Sequence, residues 1–343
     1  MKQLLNTLYV TLPDSYLSLD GETVVVLSGD KSVGRVPLHN LENIVCFGYR
    51  GASPALMGAC AQRNIGLCFL TPHGRFLARI AGPVSGNVLL RNAQYQWAAD
   101  PGEALEVARM FLLGKIYNGR WCLERAKRDH PMRVDVKQLD SSIGMMRESM
   151  NRLMDAASRE KLMGEEGIAA KAYFASFNQL ILKNERDFHF DGRNRRPPMD
   201  PVNAMLSFVY TLLGNEIAGA LEAVGLDPAV GFLHTLRPGR ASLALDLLEE
   251  LRAPLADRFV LSQINLGTVT GSDFAQKENG AFYLKDDARK KFLAAWQKRK
   301  QETLVHPYLK EKIPWGMVAY AQAMLLARRI RGDLDAYPPF LWK

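Results

Sequence analysis

Three short segments of this 343-residue chain carry residue types that could together hold one divalent metal. They are Gly164-Glu165-Glu166-Gly167, the isolated His234, and Asp246-Leu247-Leu248-Glu249. Each places a carboxylate or an imidazole in an apolar stretch with helical patterning, where an ionised carboxylate is costly unless paired or bound to a metal. Two carboxylates and one neutral imidazole make a mixed oxygen and nitrogen donor set. Such a set suits Mg²⁺ or Mn²⁺ and leaves positions for water or a phosphate oxygen. On a basic chain it points toward phosphodiester chemistry.

Each of these residues also has a plain structural reading. Residues 164–177 read as a loop entering a helix, so a carboxylate in the first turn could simply complement the helix dipole. Spacing does not separate Glu165 from Glu166. His234 has the most apolar N-terminal flank of the six histidines, yet a lone histidine there is more often a satisfied core or surface residue than a ligand. Asp246 and Glu249 are three residues apart and share one helix face. Leucines surround them, so that helix is expected to be buried and its carboxylates to need partners. Those partners are a metal, or Arg240 and Arg252; Arg252, three residues beyond Glu249, offers a salt bridge instead. Glu250 is expected to point away and be solvated.

Basic residues gather around these segments. Arg193, Arg195 and Arg196 share one loop, Arg237 and Arg240 follow His234, and Lys161 and Lys171 flank Glu166. They could hold backbone phosphates, although a charge run is also what a solvated face looks like. The net charge of +8 and pI near 9.3 favour a polyanionic partner. G-x-S-x-G, H-E-x-x-H and P-loop motifs are absent, and Gly48 and Gly51 are too few for a dinucleotide fingerprint. This argues against an ATP-driven enzyme or a Rossmann dehydrogenase. Cys46, Cys60, Cys68 and Cys122 form no C-x-x-C pair and are expected to be buried, reduced thiols. With no secretory signal and no run of 18 apolar residues, no membrane span is expected and the cytoplasm is the default location.

The elements that must position these residues fall into two parts. Strands are expected at 8–12, 16–19, 23–27, 44–47, 65–70 and 76–80, with a helix at 54–63 and a hairpin turn at Asp20-Gly21. Loop signals at Gly82-Pro83, Ser85-Gly86-Asn87 and Asp100-Pro101-Gly102 precede a change to helical period. Helices are expected at 104–126, 136–162, 168–182, 202–224, 242–251, 285–300 and 314–331, and loops at 187–200 and 266–280. The fold class is therefore α+β with two domains: a β-rich N-terminal domain over 1–85, a linker over 86–102 and a larger all-α domain over 103–343.

Four strings occur in order: Gly-Glu-Glu-Gly-Ile-Ala-Ala-Lys-Ala-Tyr-Phe at 164–174, Arg-Asn-Arg-Arg-Pro-Pro-Met-Asp-Pro-Val-Asn-Ala-Met-Leu-Ser-Phe-Val-Tyr-Thr-Leu-Leu at 193–213, Gly-Leu-Asp-Pro-Ala-Val-Gly-Phe-Leu-His at 225–234, and Arg-Ala-Ser-Leu-Ala-Leu-Asp-Leu-Leu-Glu-Glu-Leu-Arg at 240–252. Together they resemble the CRISPR-associated integrases and endonucleases that insert new spacers into the repeat array, closest to the type I-C-like branch. The resemblance implies an N-terminal dimerisation domain and a helical catalytic domain. It implies metal ligands Glu166, His234 and Glu249, choosing Glu166 over Glu165, with Asp246 beside the site as the alternative third ligand. It also implies Mg²⁺ or Mn²⁺, a homodimer, and a small adaptation partner protein completing a heterohexamer. The implied reaction is transesterification on double-stranded or branched DNA, with nuclease activity at the same site. Rival readings are a DNA-binding scaffold with little catalysis and a metal-dependent hydrolase of small phosphorylated substrates.

Overall fold

The computed structural model describes residues 6–12, 14–80, 82, 88–194 and 197–343. Strand β1 (Thr7–Val10) leads into an antiparallel meander of β2 (Ser15–Asp20), β3 (Thr23–Ser28) and β4 (Lys31–Pro37). Asp20 pairs with Thr23 across the tight turn, where Gly21 takes φ +56°, a left-handed conformation that glycine adopts without strain. Strand β5 (Asn43–Phe47), helix α1 (Pro54–Gln62), β6 (Gly66–Leu70) and β7 (Phe76–Ile80) follow. They complete a mixed sheet of order β1-β5-β6-β7, parallel at β1/β5 and β5/β6 and antiparallel at β6/β7. Leu17, Val24, Ile44, Leu56, Cys60 and Leu67 are fully buried in its core. All four cysteines are free and buried, as their apolar settings imply.

The remaining helices are α2 (Val88–Ala99), α3 (Pro101–Asp129), α4 (Val136–Met154), α5 (Arg159–Ala175), α6 (Pro201–Ala223), α7 (Ser242–Leu251), α8 (Arg258–Asn265), α9 (Asp286–Gln301) and α10 (Val318–Ile330). Short hairpins β8/β9 (Phe274–Gln276, Phe282–Leu284) and β10/β11 (Thr303–Val305, Lys312–Pro314) sit among them. Strand β8 lies inside the span expected to be loop, and its partner β9 just beyond it. The 29-residue α3 packs against α4, α5 and α7, while α6 packs against α7 and α10. Helix α6 is long and apolar enough to cross a membrane by composition, but most of its apolar window is buried inside the protein.

Two compact units result, one of Met1–Gly86 with Lys285–Glu302, the other of Asn87–Leu284 with Thr303–Lys343. This partition differs from the expected one in two places. The span expected to be a linker holds α2, although the turn signals at 83 and 85–87 lie outside the described residues. Helix α9 belongs with the β-rich unit: its buried Arg289 donates to the Pro72 carbonyl and stacks 5.4 Å from the Phe47 ring centroid. Its Lys300 donates to Thr7 Oγ1 at 3.2 Å.

In the helical unit a polar network holds the last residues of the chain. Gln322 on α10 donates to Glu250 Oε2 at 2.8 Å and to the Tyr337 hydroxyl at 2.7 Å. The Phe340 amide donates to the same Glu250 oxygen, and Asn118 on α3 bridges the Phe340 carbonyl (2.7 Å) and the Trp342 amide (2.9 Å). Buried His306 completes the network: its Nδ1 accepts from the Tyr308 and Leu309 amides, and its Nε2 stands 3.1 Å from Gln322 Oε1. Burial holds this ring below the usual histidine range, and a second proton would turn Nδ1 into a donor facing two donors. The unfolded chain then binds the proton first, so His306 supports the fold fully above the ordinary histidine pKa and progressively less as pH falls below it. We expect His306→Gln to flatten the loss of stability in urea denaturation as pH falls below the ordinary histidine pKa. An unchanged pH slope would remove His306 as its source.

Candidate metal centre

Glu166 does not lie in the first turn of its helix. Helix α5 starts at Arg159, capped by the Ser158 hydroxyl accepting from the Lys161 amide, and runs straight through Gly164 and Gly167. The dipole reading therefore does not apply, because the dipole acts within the first turn. Glu165 and Glu166 part company on the helix surface. Glu165 pairs with Arg152 Nε at 2.9 Å, whereas Glu166 Oε1 meets the ammonium of Lys115 from α3.

Lys115 joins Glu166 to a second carboxylate. Its Nζ is 2.7 Å from Glu249 Oε2, and Glu249 is nearly fully buried on α7. Arg252 closes the other side, 2.9 Å from Glu249 Oε1. The salt bridge anticipated from the three-residue spacing is thus formed, but Lys115 shares the same carboxylate. Burial alone would raise the Glu249 pKa, yet Arg252, Lys115 and the potential of His234 bring it down to about 2.

Arg252 opens a π-helical stretch, Arg252–Asp257, that contains Pro254. Proline has no amide hydrogen to continue the α ladder, which accounts for the irregular winding. The stretch carries buried Asp257 to the hydroxyls of Tyr173 (3.0 Å) and Tyr210 (2.5 Å), and Arg252 lies 5.0 Å from the Tyr210 ring centroid. Burial raises the Asp257 pKa against the pull of those hydroxyls. Glu166, Lys115, Tyr173, Tyr210, Arg252 and Asp257 border a cavity of about 70 Å³, room for a few waters.

His234 comes from the loop after α6, and Asp246 fixes that loop. One Asp246 oxygen accepts from the Phe232 (2.7 Å) and Leu233 (2.9 Å) amides. The other accepts from the His234 amide at 2.9 Å and lies 2.6 Å from His234 Nδ1. With Asp246 accepting at Nδ1, the neutral tautomer of the ring is the one that presents the Nε2 lone pair. Gly231 makes this approach possible, since a Cβ there would stand 2.6 Å from Asp246 Oδ2. On α2, buried Gln94 holds the same loop through the Asp227 and Val230 carbonyls at 2.9 and 2.8 Å.

Among the described residues no three His, Cys, Asp or Glu side chains yet surround one point. What is assembled is a carboxylate–ammonium–carboxylate arrangement, with a cation already seated between Glu166 and Glu249. The donor types fit a hard divalent ion, and closure of the set needs the Lys115 ammonium to withdraw.

The expected phosphate-binding residues divide. Lys161, Lys171 and Arg237 are exposed. Arg240 is committed to the loop, donating to the Thr235 carbonyl, to Thr235 Oγ1 (2.8 Å) and to Ser242 Oγ (3.2 Å). Arg193 turns inward to Asn203 Oδ1 (2.5 Å) and Ser207 Oγ (3.0 Å), 5.2 Å from the Tyr210 ring centroid. Arg195 and Arg196 lie outside the described residues.

Glu250 corrects one expectation. It is fully buried rather than solvated, and burial pushes its carboxyl up to about 8. Helix α7 is enclosed on both flanks, and Gly114 admits it: a Cβ there would stand 2.9 Å from Glu250 Cγ. Sequence reasoning also missed Lys115. Its one signal is a lysine in register with buried Phe111, Asn118 and Cys122 on α3.

Fold and centre together define a basic two-unit α+β protein whose helical part converges two acidic side chains on one cation and carries a carboxylate-oriented imidazole, His234, which lines a separate pocket. The model for the family described as CRISPR associated protein Cas1 matches residues 8–298, and the chain belongs to that family. The CRISPR-associated endonuclease Cas1 1 of Chlorobaculum tepidum is 51% identical over the full length of both chains. A casposase bound to integration product shares the fold with a TM-score of 0.84 at 24% identity, covering 98% of this chain and 94% of that one. A chain of a Cas6-RT-Cas1–Cas2 complex does so at 0.83 and 23% identity, covering 100% of this chain and 36% of its own.

Proposed function

We propose that the protein is the integrase of CRISPR adaptation: it inserts captured DNA fragments into the repeat array and cuts branched or double-stranded DNA at the same centre. The carrying observation is the convergence of Glu166 and Glu249 on one cation. Membership of the Cas1 family and 51% identity to a named endonuclease support the reading.

Glu166, His234 through Nε2, and Glu249 would hold Mg²⁺ or Mn²⁺. Once bound, the ion supplies activation of an attacking 3′-hydroxyl or water and neutralises charge on the attacked phosphate. Asp246 is a positioning residue rather than the third ligand, because its oxygens already serve three amides and the His234 ring. Lys115, released from between the carboxylates, is placed to meet a phosphate oxygen. Lys161, Lys171 and Arg237 hold backbone phosphates, with Arg195 and Arg196 assigned there from sequence. Because one phosphodiester replaces another, no ATP is needed.

The assembly we infer is a homodimer made through the β-rich unit, with two such dimers joined by a dimer of a Cas2-type small partner into a heterohexamer in the cytoplasm. The Cas1–Cas2 complex sharing this fold supports such a partner. From the resemblance carried by the four ordered sequence strings we infer the type I-C-like branch of the family.

The test is strand transfer and cleavage on branched DNA with Mn²⁺ or EDTA, for wild type and His234→Ala. Metal-dependent product from the wild type is expected, with almost none from the variant while fold and DNA binding persist. A variant that matched the wild type would overturn the centre. A flat dependence of binding on salt would favour a small-substrate hydrolase instead.

A further inference from the structure

On the helical unit, an open groove of about 760 Å³ is bordered by Tyr117 and Arg125 of α3, by Tyr308 and Lys310 of the β10/β11 turn, and by Trp342 and Lys343. It has no lining residue in common with the cavity beside Glu166. None of its lining side chains is a carboxylate. Its lining residues Arg125, Trp342 and Lys343 take part in cation–ring stacks with Arg258, Trp121 and Arg120, which lie outside the lining. Trp342 lies between Arg125 and Arg258, whose guanidinium carbons are 4.1 and 4.5 Å from its ring centroid. Lys343 Nζ sits 5.4 Å from the Trp121 centroid, with Arg120 at 5.1 Å from the same ring. Tyr308 is 47% exposed.

The groove is held rigid. The Trp342 amide is tied to Asn118, and its ring meets Trp315 edge-on at 5.5 Å. Rigid aromatic planes beside cations match unpaired nucleotides, whose bases stack and whose phosphates pair with the basic side chains. A duplex keeps its bases stacked inside and would use only the charges. An acidic peptide would leave the rings without a role.

We propose that this groove is a binding site for single-stranded DNA, separate from the metal centre. About two or three nucleotides would lie in it, with a base on Tyr308 and phosphates on Lys310, Lys343 and Arg125.

The test uses the full chain in EDTA, so it is independent of catalysis and of the metal reading. Binding of a labelled oligodeoxythymidine of about ten nucleotides, and of a hairpin duplex of equal length, is followed by anisotropy across a salt series. Tyr308→Ala and Lys310→Gln alter exposed side chains, and thermal melts verify their fold. Tyr308→Ala is expected to weaken single-strand binding about tenfold while changing duplex binding less than about twofold. Lys310→Gln should lower the single-strand salt slope by about 1. Single-strand affinity equal to wild type in both variants would overturn the proposal. So would equal losses for duplex and single strand, which would mark the groove as a general charged surface.

Discussion

Alanine in place of Asp246 is expected to lower strand transfer about 100-fold, although this side chain is not placed against DNA. The four contacts of its carboxylate all go to the Phe232, Leu233 and His234 amides and the His234 ring. Loss of such an orienting carboxylate typically costs 10–100-fold, and here the backbone carrying the imidazole is released as well. Phe232 and Leu233 are buried, so their amides would be left unpaired at about 1–3 kcal/mol each. Asp246→Asn separates the two effects: it keeps the shape but offers one acceptor oxygen instead of two. It should regain part of the stability and little of the activity. Strand-transfer rates beside urea denaturation of both variants make the check, and Asp246→Ala activity within a few-fold of wild type would refute the positioning role.

The second large effect belongs to Glu249. Glu249→Ala removes the carboxylate shared by Lys115 and Arg252 and leaves Arg252 buried beside Tyr210 with no anionic partner from α7. Breaking a buried pair in this way costs about 3–5 kcal/mol, so a sharp fall in the denaturation midpoint is expected. Activity should fall at least about 100-fold if Glu249 is the proposed ligand, since the ion it would help hold supplies several kcal/mol of transition-state charge stabilisation. Glu249→Gln keeps the volume and should recover part of the stability while staying inactive. A Gln variant that turned over at the wild-type rate would show that the carboxylate charge does not act in the reaction.

Several of the elements that carry the candidate centre are legible in the sequence because local pattern carries them. Helix α7 was expected at 242–251 and runs Ser242–Leu251, since leucines on nearly every side leave no other element possible. The meander turn at Asp20-Gly21 was equally local. Other features depended on tertiary choices. Gly164 and Gly167 resemble a helix boundary, but Ser158 caps the chain earlier and packing carries the helix through both glycines. Strand β4 carries no strand signal in the sequence, because most of it is exposed and a glycine interrupts its alternation. Lys115 was invisible as a site residue, because nothing in its surroundings on α3 announces two carboxylates arriving from α5 and α7. Glu250 shows the same limit: the stripe that predicts one buried flank says nothing about a partner on the other.

The membership of α9 in the β-rich unit has a consequence for the order in which the protein can be made. The ribosome delivers the sheet first, but Arg289, which fills the place beside Phe47 and Pro72, emerges about 200 residues later. At about 5–20 residues/s the nascent sheet waits roughly 10–40 s for its last helix. The helical unit is being extruded throughout that interval. The first unit is therefore finished only after most of the second has appeared, and a nascent chain halted anywhere before Lys285 carries an incomplete sheet layer.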